Sequence, residues 1–326
     1  MPLRFAPVLG IALPMPTDSM DICVLGAGAI GGWVAARLAL AGHTVMALTS
    51  RGPLDGLEID EAGEKQSATF RRFDTPAHVL VIAVKAPALA AATRGLNALV
   101  APQTIVLPML NGVPWWFLDG DPLRSIDPSG AISAALPSPQ IAGCVVHASC
   151  YREGPNRIVV KHADKLIVGE PAGGSSNRIE AVKRLFEGAG IHCDVSDNVR
   201  RAIWYKLWGN ATINPLSALT RATADRILAD AECRAWMLEG MGELAAIGAA
   251  IGCPIAESGE DRMKVTARLG AFKTSMLQDV EAGRPIELEA LVGAPREIAR
   301  RQGIATPALD RLYGVTKLMA VSLGLI

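Results

Sequence analysis

What the sequence lacks narrows its function first. Thirty-two basic and thirty-two acidic residues cancel, and only 20% of positions are charged, so the basic footprint of a nucleic-acid binder is missing and a small-molecule partner is expected. Six cysteines (Cys23, Cys144, Cys150, Cys193, Cys233 and Cys253) contain no CxxC pair, and five histidines are scattered without ligand spacing. The expectation is reduced thiols, no metal and a cytoplasmic address. No segment approaches the roughly 20 uncharged apolar residues that a membrane-spanning helix needs.

Half of the 326 residues are hydrophobic, and the chain is too long for one ordinary core, so two domains of unequal kind are expected. Residues 1–20 are set apart. Arg4 followed by the apolar run Phe5 to Leu13 has the outline of a signal peptide, but three nearby prolines and a strand pattern from Asp21 favour a disordered extension upstream of a start at Met20.

The stretch Asp21 to Gly32, DICVLGAGAIGG, organises the rest. Ile22 to Leu25 reads as a parallel strand buried on both faces and Ala29 to Leu40 as a helix, so Gly26, Gly28 and Gly31 fall at a strand-to-helix turn. Such a turn holds a pyrophosphate: Gly26 for the tight bend, Gly28 for backbone approach, Gly31 for close helix packing, and the N–H groups around Ala27, Ala29 and Ile30 for the phosphates. The alternative is a glycine turn between packed elements, but the strand and helix context favours a dinucleotide. The next strand, His43 to Leu48, ends in Thr49-Ser50-Arg51-Gly52. A carboxylate for the ribose hydroxyls is missing there, and a guanidinium with two hydroxyls suits a 2′-phosphate, so NADPH is expected over NADH, with Ser50 or Arg51 reading the phosphate.

Further along, Leu57 to Phe73 predicts a hairpin of edge strands, His78 to Val84 a buried strand, and Pro87 opens a helix to about Leu99. Lys85 and Asn111 then sit just beyond strand ends, where open α/β sheets bind ligands. Strands are expected at Thr104 to Leu107, Cys144 to Ser149, Arg157 to Lys161, Leu166 to Val168 and near Ile191, with a helix from Asn177 to Gly188. Asp197 reads as the N-cap of a long helix, and no strand pattern follows it. The expected architecture is therefore α/β: a Rossmann-type doubly wound sheet over residues 21–196, then an all-helical domain over residues 197–326.

Within that long helix, Lys206, Asn210 and Asn214 are spaced four apart and fall on one face. An ammonium and two carboxamides in apolar surroundings need partners, which a ligand can supply. A solvent stripe is the plainer alternative, but such faces seldom use paired asparagine, a poor helix former. Pro215 is expected to kink or interrupt the helix. Downstream, Gly283 ends one helix and Pro285 opens another with Glu287 in its first turn, where a carboxylate also suits the helix dipole alone; Ser275 by itself reads as an ordinary helix serine.

GAGAIGG, Val84-Lys85-Ala86, Asn111-Gly112-Val113-Pro114-Trp115-Trp116, Lys206 with Asn210 and Asn214-Pro215, and SMLQDVEAGRPIELE together resemble the ketopantoate reductase (2-dehydropantoate 2-reductase) family from Asp21 to about Leu318. The resemblance implies a Rossmann domain followed by a helical domain of the 6-phosphogluconate dehydrogenase type, and NADPH-dependent reduction of ketopantoate to (R)-pantoate on the way to coenzyme A. It implies that Lys206 donates the proton to the substrate oxygen, that Asn111, Asn210, Asn214 and Ser275 bind substrate, and that Lys85, Asn111, Ser149 and Glu287 touch the cofactor. The chemistry agrees, since an ammonium with a reference pKa of about 10.4 is protonated at neutral pH and can both stabilise and quench a growing alkoxide. Val292 and Ala224 stand where family members carry asparagine, which implies looser reading of the ketopantoate hydroxyl. Two other readings stand beside this one: reduction of another branched 2-keto acid, and NADPH sensing without turnover. A homodimer through the helical domain is a further expectation.

Overall fold

The computed structural model describes residues 19–120 and 122–326, so residues 1–18 of the expected extension lie outside the described residues. The chain forms two compact units. The first takes the described residues up to Val84 together with Leu89–Leu110 and Ile132–Val199; the second takes Lys85–Ala88, Asn111–Ala131 and Arg200–Ile326. Two short segments that follow strands in the sequence thus belong with the helical unit.

In the first unit the elements run β1 (Asp21–Leu25), α1 (Ala29–Leu40), β2 (Thr44–Thr49), β3 (Gly52–Leu54), β4 (Gly56–Glu61), β5 (Glu64–Thr69), β6 (Val79–Ile82), α2 (Leu89–Ala92), β7 (Ile105–Pro108), α3 (Ala131–Ala135), β8 (Gly143–Glu153), β9 (Arg157–Gly169), α4 (Asn177–Gly188) and β10 (Cys193–Val195). One sheet has the order β3-β2-β1-β6-β7, parallel except for β3. Ile22 to Leu25 are all buried at its centre, as their unbroken apolar run requires. The other sheet has the order β10-β9-β4-β5, with β8 also paired to β9.

Helix α1 packs against strands of both sheets, which is why it is apolar almost all round rather than on one stripe. A side chain at Gly32 would touch Ile158 and Leu57 of the second sheet. Glu61 accepts from Trp33 Nε1 at 2.8 Å and pairs with Arg37, fixing the helix to β4.

Several expectations need correction. The helix expected from Pro87 to Leu99 is three short pieces, a 3₁₀ turn at Ala86–Ala88, α2, and a 3₁₀ turn at Leu96–Ala98 after the left-handed Gly95. The strands expected at Arg157 to Lys161 and Leu166 to Val168 are one strand, β9, whose ladder with β8 shifts register between His147 and Ala148 and again between Ser149 and Cys150. Residues 57–73 do contain a hairpin, but only β5 is an edge, because β4 also pairs with β9.

The second unit is helical: α5 (Val199–Thr220), α6 (Ala224–Ala229), α7 (Ala231–Ala250), α8 (Gly259–Ala267), α9 (Ser275–Glu281), a π-helical turn at Glu289–Gly293, α10 (Ala294–Arg301) and α11 (Pro307–Ser322). Helix α5 begins two residues beyond Asp197, which is therefore not its N-cap. The helix continues through Pro215 and is not interrupted there, which corrects that arm of the expectation. Its flanks explain this: Trp204 and Trp208 are buried and donate to the Leu244 and Met241 carbonyls of α7 at 3.0 and 2.8 Å, and Ala211 and Leu216 are buried around the proline. Tertiary packing outweighs one missing backbone bond. Among the described residues no helix is long and apolar enough to cross a membrane.

Candidate active site

Each unit carries one candidate surface. On the first, β1 runs into α1 through Gly26-Ala27-Gly28. Gly26 has φ +96°, and a Cβ there would lie 2.6 Å from Val84 Cγ1 and 2.7 Å from its backbone nitrogen, so only glycine fits. A Cβ on Gly31 would sit 2.2 Å from the Gly26 carbonyl oxygen. Gly28 is different: it is exposed, and an added Cβ would meet nothing within 4 Å. What keeps Gly28 bare is therefore not the fold.

Helix α1 has no side-chain cap and no acidic residue in its first turn. Its first bond runs from Gly32 N–H to the Gly28 carbonyl at 2.8 Å, which leaves the N–H groups of Ala29, Ile30 and Gly31 without a partner inside the helix. Bare N–H groups, an unhindered glycine and an uncompensated helix dipole fit the pyrophosphate of a dinucleotide. At the end of β2, Ser50 and Arg51 are both exposed, and Arg51 N–H donates to Thr49 Oγ1 at 3.1 Å. Ser149 is exposed on β8 opposite His162, in the second sheet.

On the second unit, four distant parts of the sequence meet. Lys206 Nζ donates to Asn111 Oδ1 at 3.1 Å, and Asn111 Nδ2 donates to Glu287 Oε2 at 3.4 Å. The other Glu287 oxygen accepts Ala86 N–H at 3.3 Å. Lys85 pairs with Asp279, which also accepts Arg284 Nε at 3.1 Å. Burial pushes the Glu287 carboxyl above the usual carboxylate range, and Asp279 adds to the push; the Ala86 N–H bond, the Lys85 charge and the Asn111 bond pull the other way.

The backbone explains how Asn111 is held. Glu287 immediately precedes the helical segment, rather than lying in its first turn as expected, and its carbonyl accepts Leu291 N–H at 3.1 Å. In the π turn that follows, Ala294 N–H reaches back five residues to Glu289 O. Continuing that pattern would bring residue 295 to the Ala290 carbonyl, but residue 295 is proline and has no N–H. The Ala290 carbonyl instead accepts Val113 N–H at 2.9 Å. Gly112, at φ +80°, permits this approach, since a Cβ there would lie 2.3 Å from the same oxygen. The Asn111 turn is thereby tied to the segment that carries Glu287.

The whole chain can be compared with known proteins. Two family models, "Ketopantoate reductase PanE/ApbA" over residues 22–173 and "Ketopantoate reductase PanE/ApbA C terminal" over residues 198–320, match it. This chain belongs to the ketopantoate reductase family. A curated 2-dehydropantoate 2-reductase of Mesorhizobium japonicum is 36% identical over 94% of this chain and 99% of its own length. The crystal structure of a Ralstonia solanacearum MolK2 protein superposes with a TM-score of 0.90 at 44% identity, covering 95% of this chain and all 100% of that one. The 2-dehydropantoate 2-reductase of Geobacter metallireducens superposes with a TM-score of 0.80 at 26% identity, covering 92% and 100%.

For a member of this oxidoreductase family, the remaining candidates fall on α5 and α9. Asn214 is buried and donates to Ser275 Oγ at 3.4 Å, where Ser275 opens α9 after the N-cap Thr274. Asn210 is half-buried one turn from Lys206 and one turn from Asn214. Lys206, Asn111, Glu287 and the Lys85-Ala86 segment are thus brought together in one hydrogen-bonded group, and Asn214 and Ser275 in another along the same helix. The arrangement can offer an ammonium, amides and a hydroxyl to a small polar anion. Burial pushes the Cys23, Cys150 and Cys193 thiols up to about 12, with Glu61 adding to the push on Cys150, which disfavours the thiolate at all three.

Reading the sequence missed four charged residues. Arg152 Nη1 donates to the Ala27 carbonyl of the glycine turn at 2.7 Å. Asp279 and Arg284 organise Lys85, and Arg262 lies against α5 at Gly209. None has a local spacing signal. Arg152, Asp279 and Arg262 act across long sequence separations that only the fold closes, and Arg284 acts through Asp279.

Proposed function

We propose that this chain reduces 2-dehydropantoate to (R)-pantoate, a step toward coenzyme A, using NADPH and a proton from Lys206. The observation that carries the reading is the bond from Lys206 Nζ to Asn111 Oδ1 within a group anchored by buried Glu287. When bound, the reduced nicotinamide supplies a hydride; Gly26 to Gly31, Ser50 or Arg51, Lys85, Asn111, Ser149 and Glu287 are the residues that would hold the cofactor.

The residues of the chain do the rest. Asn111 presents its oxygen to Lys206 because its amide nitrogen is turned toward Glu287. One of the three ammonium hydrogens is thereby used to aim the group, which favours a single orientation of the others. Lys206 donates to the C2 oxygen of the keto acid, stabilises the charge that grows there as hydride arrives at carbon, and then gives up the proton. Asn210, Asn214 and Ser275 bind the substrate's other oxygens. One keto acid, one NADPH and one proton give one hydroxy acid and one NADP⁺, and Lys206 regains its proton from water.

A second reading, reduction of another branched 2-keto acid, is favoured by Ala224 and Val292. Both are fully buried and neither side chain can donate a hydrogen bond. Comparing kcat/KM for ketopantoate and 2-ketoisovalerate with NADPH and with NADH decides between them. Preference for ketopantoate with NADPH supports the first reading, preference for the acid without the hydroxyl supports the second, and no turnover of either overturns both. The proposal includes a cytoplasmic enzyme. It also includes a homodimer through the helical unit, for which Val315, Leu318 and Val321 on α11 are 46%, 68% and 57% exposed; sedimentation of the purified chain measures the dimer.

A further inference from the structure

Helix α8 holds two cations, Arg262 and Lys264, and two acids, Glu260 and Asp261, and the charges other than Arg262 find partners nearby. Lys264 pairs with Asp261 at 2.8 Å, and Glu260 pairs with Arg234 of α7. Arg262 does not: among the described residues no carboxylate forms an ion pair with it, and its Nε is buried without a hydrogen-bond partner. Its guanidinium carbon stands 4.9 Å from the centre of the Tyr205 ring, while Glu257, the nearest acid in sequence outside the helix, accepts from the Tyr205 hydroxyl.

The same guanidinium lies against the backbone of α5. A Cβ at Gly209 would stand 3.2 Å from both Arg262 Nε and Nη2, tighter than ordinary contact, so the missing side chain at 209 is what lets the cation come this close. On a helix, residues three apart are neighbours with roughly 5–6 Å between their Cβ positions, and Gly209 is turned only about 60° from Lys206. A planar cation without a carboxylate therefore flanks the turn of α5 that carries Lys206, and the Tyr205 ring holds it there.

We infer that Arg262 binds the carboxylate of the substrate. This rests on the proposed reduction of a 2-keto acid. In such an acid the carboxylate is bonded directly to the carbonyl carbon, so an oxygen placed at Lys206 leaves the carboxylate one bond away. Ser275 and Asn214 are neutral donors, and a carboxylate leaving water is matched far better by the two parallel N–H groups of a guanidinium. Arg262 thus makes the enzyme specific for 2-keto acids over neutral 2-keto carbonyl compounds, and Gly209 is the residue that admits it.

The test uses the full chain with saturating NADPH and three variants, Arg262→Gln, Arg262→Lys and Gly209→Ala. Each is assayed with 2-ketoisovalerate and with its uncharged methyl ester, and pantoate affinity in the presence of NADP⁺ is measured by calorimetry. Arg262→Gln is expected to raise KM for the acid, and the Kd of pantoate, on the order of 10- to 100-fold, with NADPH affinity and the ester rate unchanged. Arg262→Lys should recover part of the loss, and Gly209→Ala should raise KM for the acid by a smaller factor with the charge still present. An unchanged KM for the acid in Arg262→Gln overturns the inference, as does an equal loss for acid and ester, which would mark a packing defect. A wild-type chain that reduces no 2-keto acid overturns the proposed function itself, and this role with it.

Discussion

Lys206 donates to the Asn111 amide oxygen over 3.1 Å although the two are 95 positions apart in sequence. An asparagine can satisfy an ammonium and a carboxylate together because its amide has an acceptor on one side and donors on the other. Asn111 does this between Lys206 and Glu287, and a hydrophobic or carboxylate side chain at 111 could not.

If Lys206 is the proton donor, Lys206→Ala should lower kcat by about 10²- to 10⁴-fold, the range for a lost general acid, while leaving NADPH affinity within a factor of a few. Stopped-flow hydride transfer and fluorescence titration with NADPH measure the two effects separately. Turnover close to wild type would remove Lys206 from the chemistry.

Glu287 gives a pH prediction whose sign follows from burial. Burial holds its carboxyl above the ordinary carboxylate range, so the folded chain holds this proton more tightly than the unfolded chain. Its contribution to stability is then complete below the unfolded pKa and is lost as pH rises through the folded one. Glu287→Gln should flatten that decline. Thermal midpoints of both proteins recorded from pH 4.5 upward test it, and parallel curves would contradict the assignment.

The glycine turn separates fold from function. Gly26→Ala should destabilise the first unit through its positive φ and its clash with Val84, lowering the thermal midpoint by several degrees. Gly28→Ala has open space around it, so the midpoint should hold while NADPH affinity falls at least about tenfold. Unchanged affinity in Gly28→Ala would argue against phosphates at this turn.

Cofactor choice can be read at the end of β2. Arg51→Ala, on an exposed side chain, should lower the NADPH-to-NADH ratio of kcat/KM by roughly tenfold or more, the scale of one lost charged contact, and leave stability unchanged. If only Ser50→Ala moves the ratio, the hydroxyl reads the 2′-phosphate instead.

Helices α1 and α4 could be read end to end from the sequence, because Gly28 and Gly42 flank the first, and Ser176 and Gly190 the second. The stripe of Lys206, Asn210 and Asn214 was legible because its spacing is the helical period. What escaped was set by tertiary forces. Pro215 stays inside α5 because buried Trp204 and Trp208 hold the helix before it and buried Leu216 and Ala218 pack after it, and β9 stays one strand because β8 follows it through two register shifts. Glu287 was visible only as a residue suited to a helix start; that its carboxylate joins Ala86 and Asn111 depends on contacts 201 and 176 residues away. Arg262 and Arg152 carry no signal in their local sequence.

Proline at 295 has an effect that reaches well beyond its own ring. Lacking an amide hydrogen, it cannot compete for the Ala290 oxygen, which is left to the strand of chain around Val113. Any other residue at that place would bring a second amide hydrogen to the same oxygen and weaken its hold on Val113. A single ring closure in the backbone therefore decides whether the asparagine arm is moored or set adrift, without altering any atom of the asparagine itself.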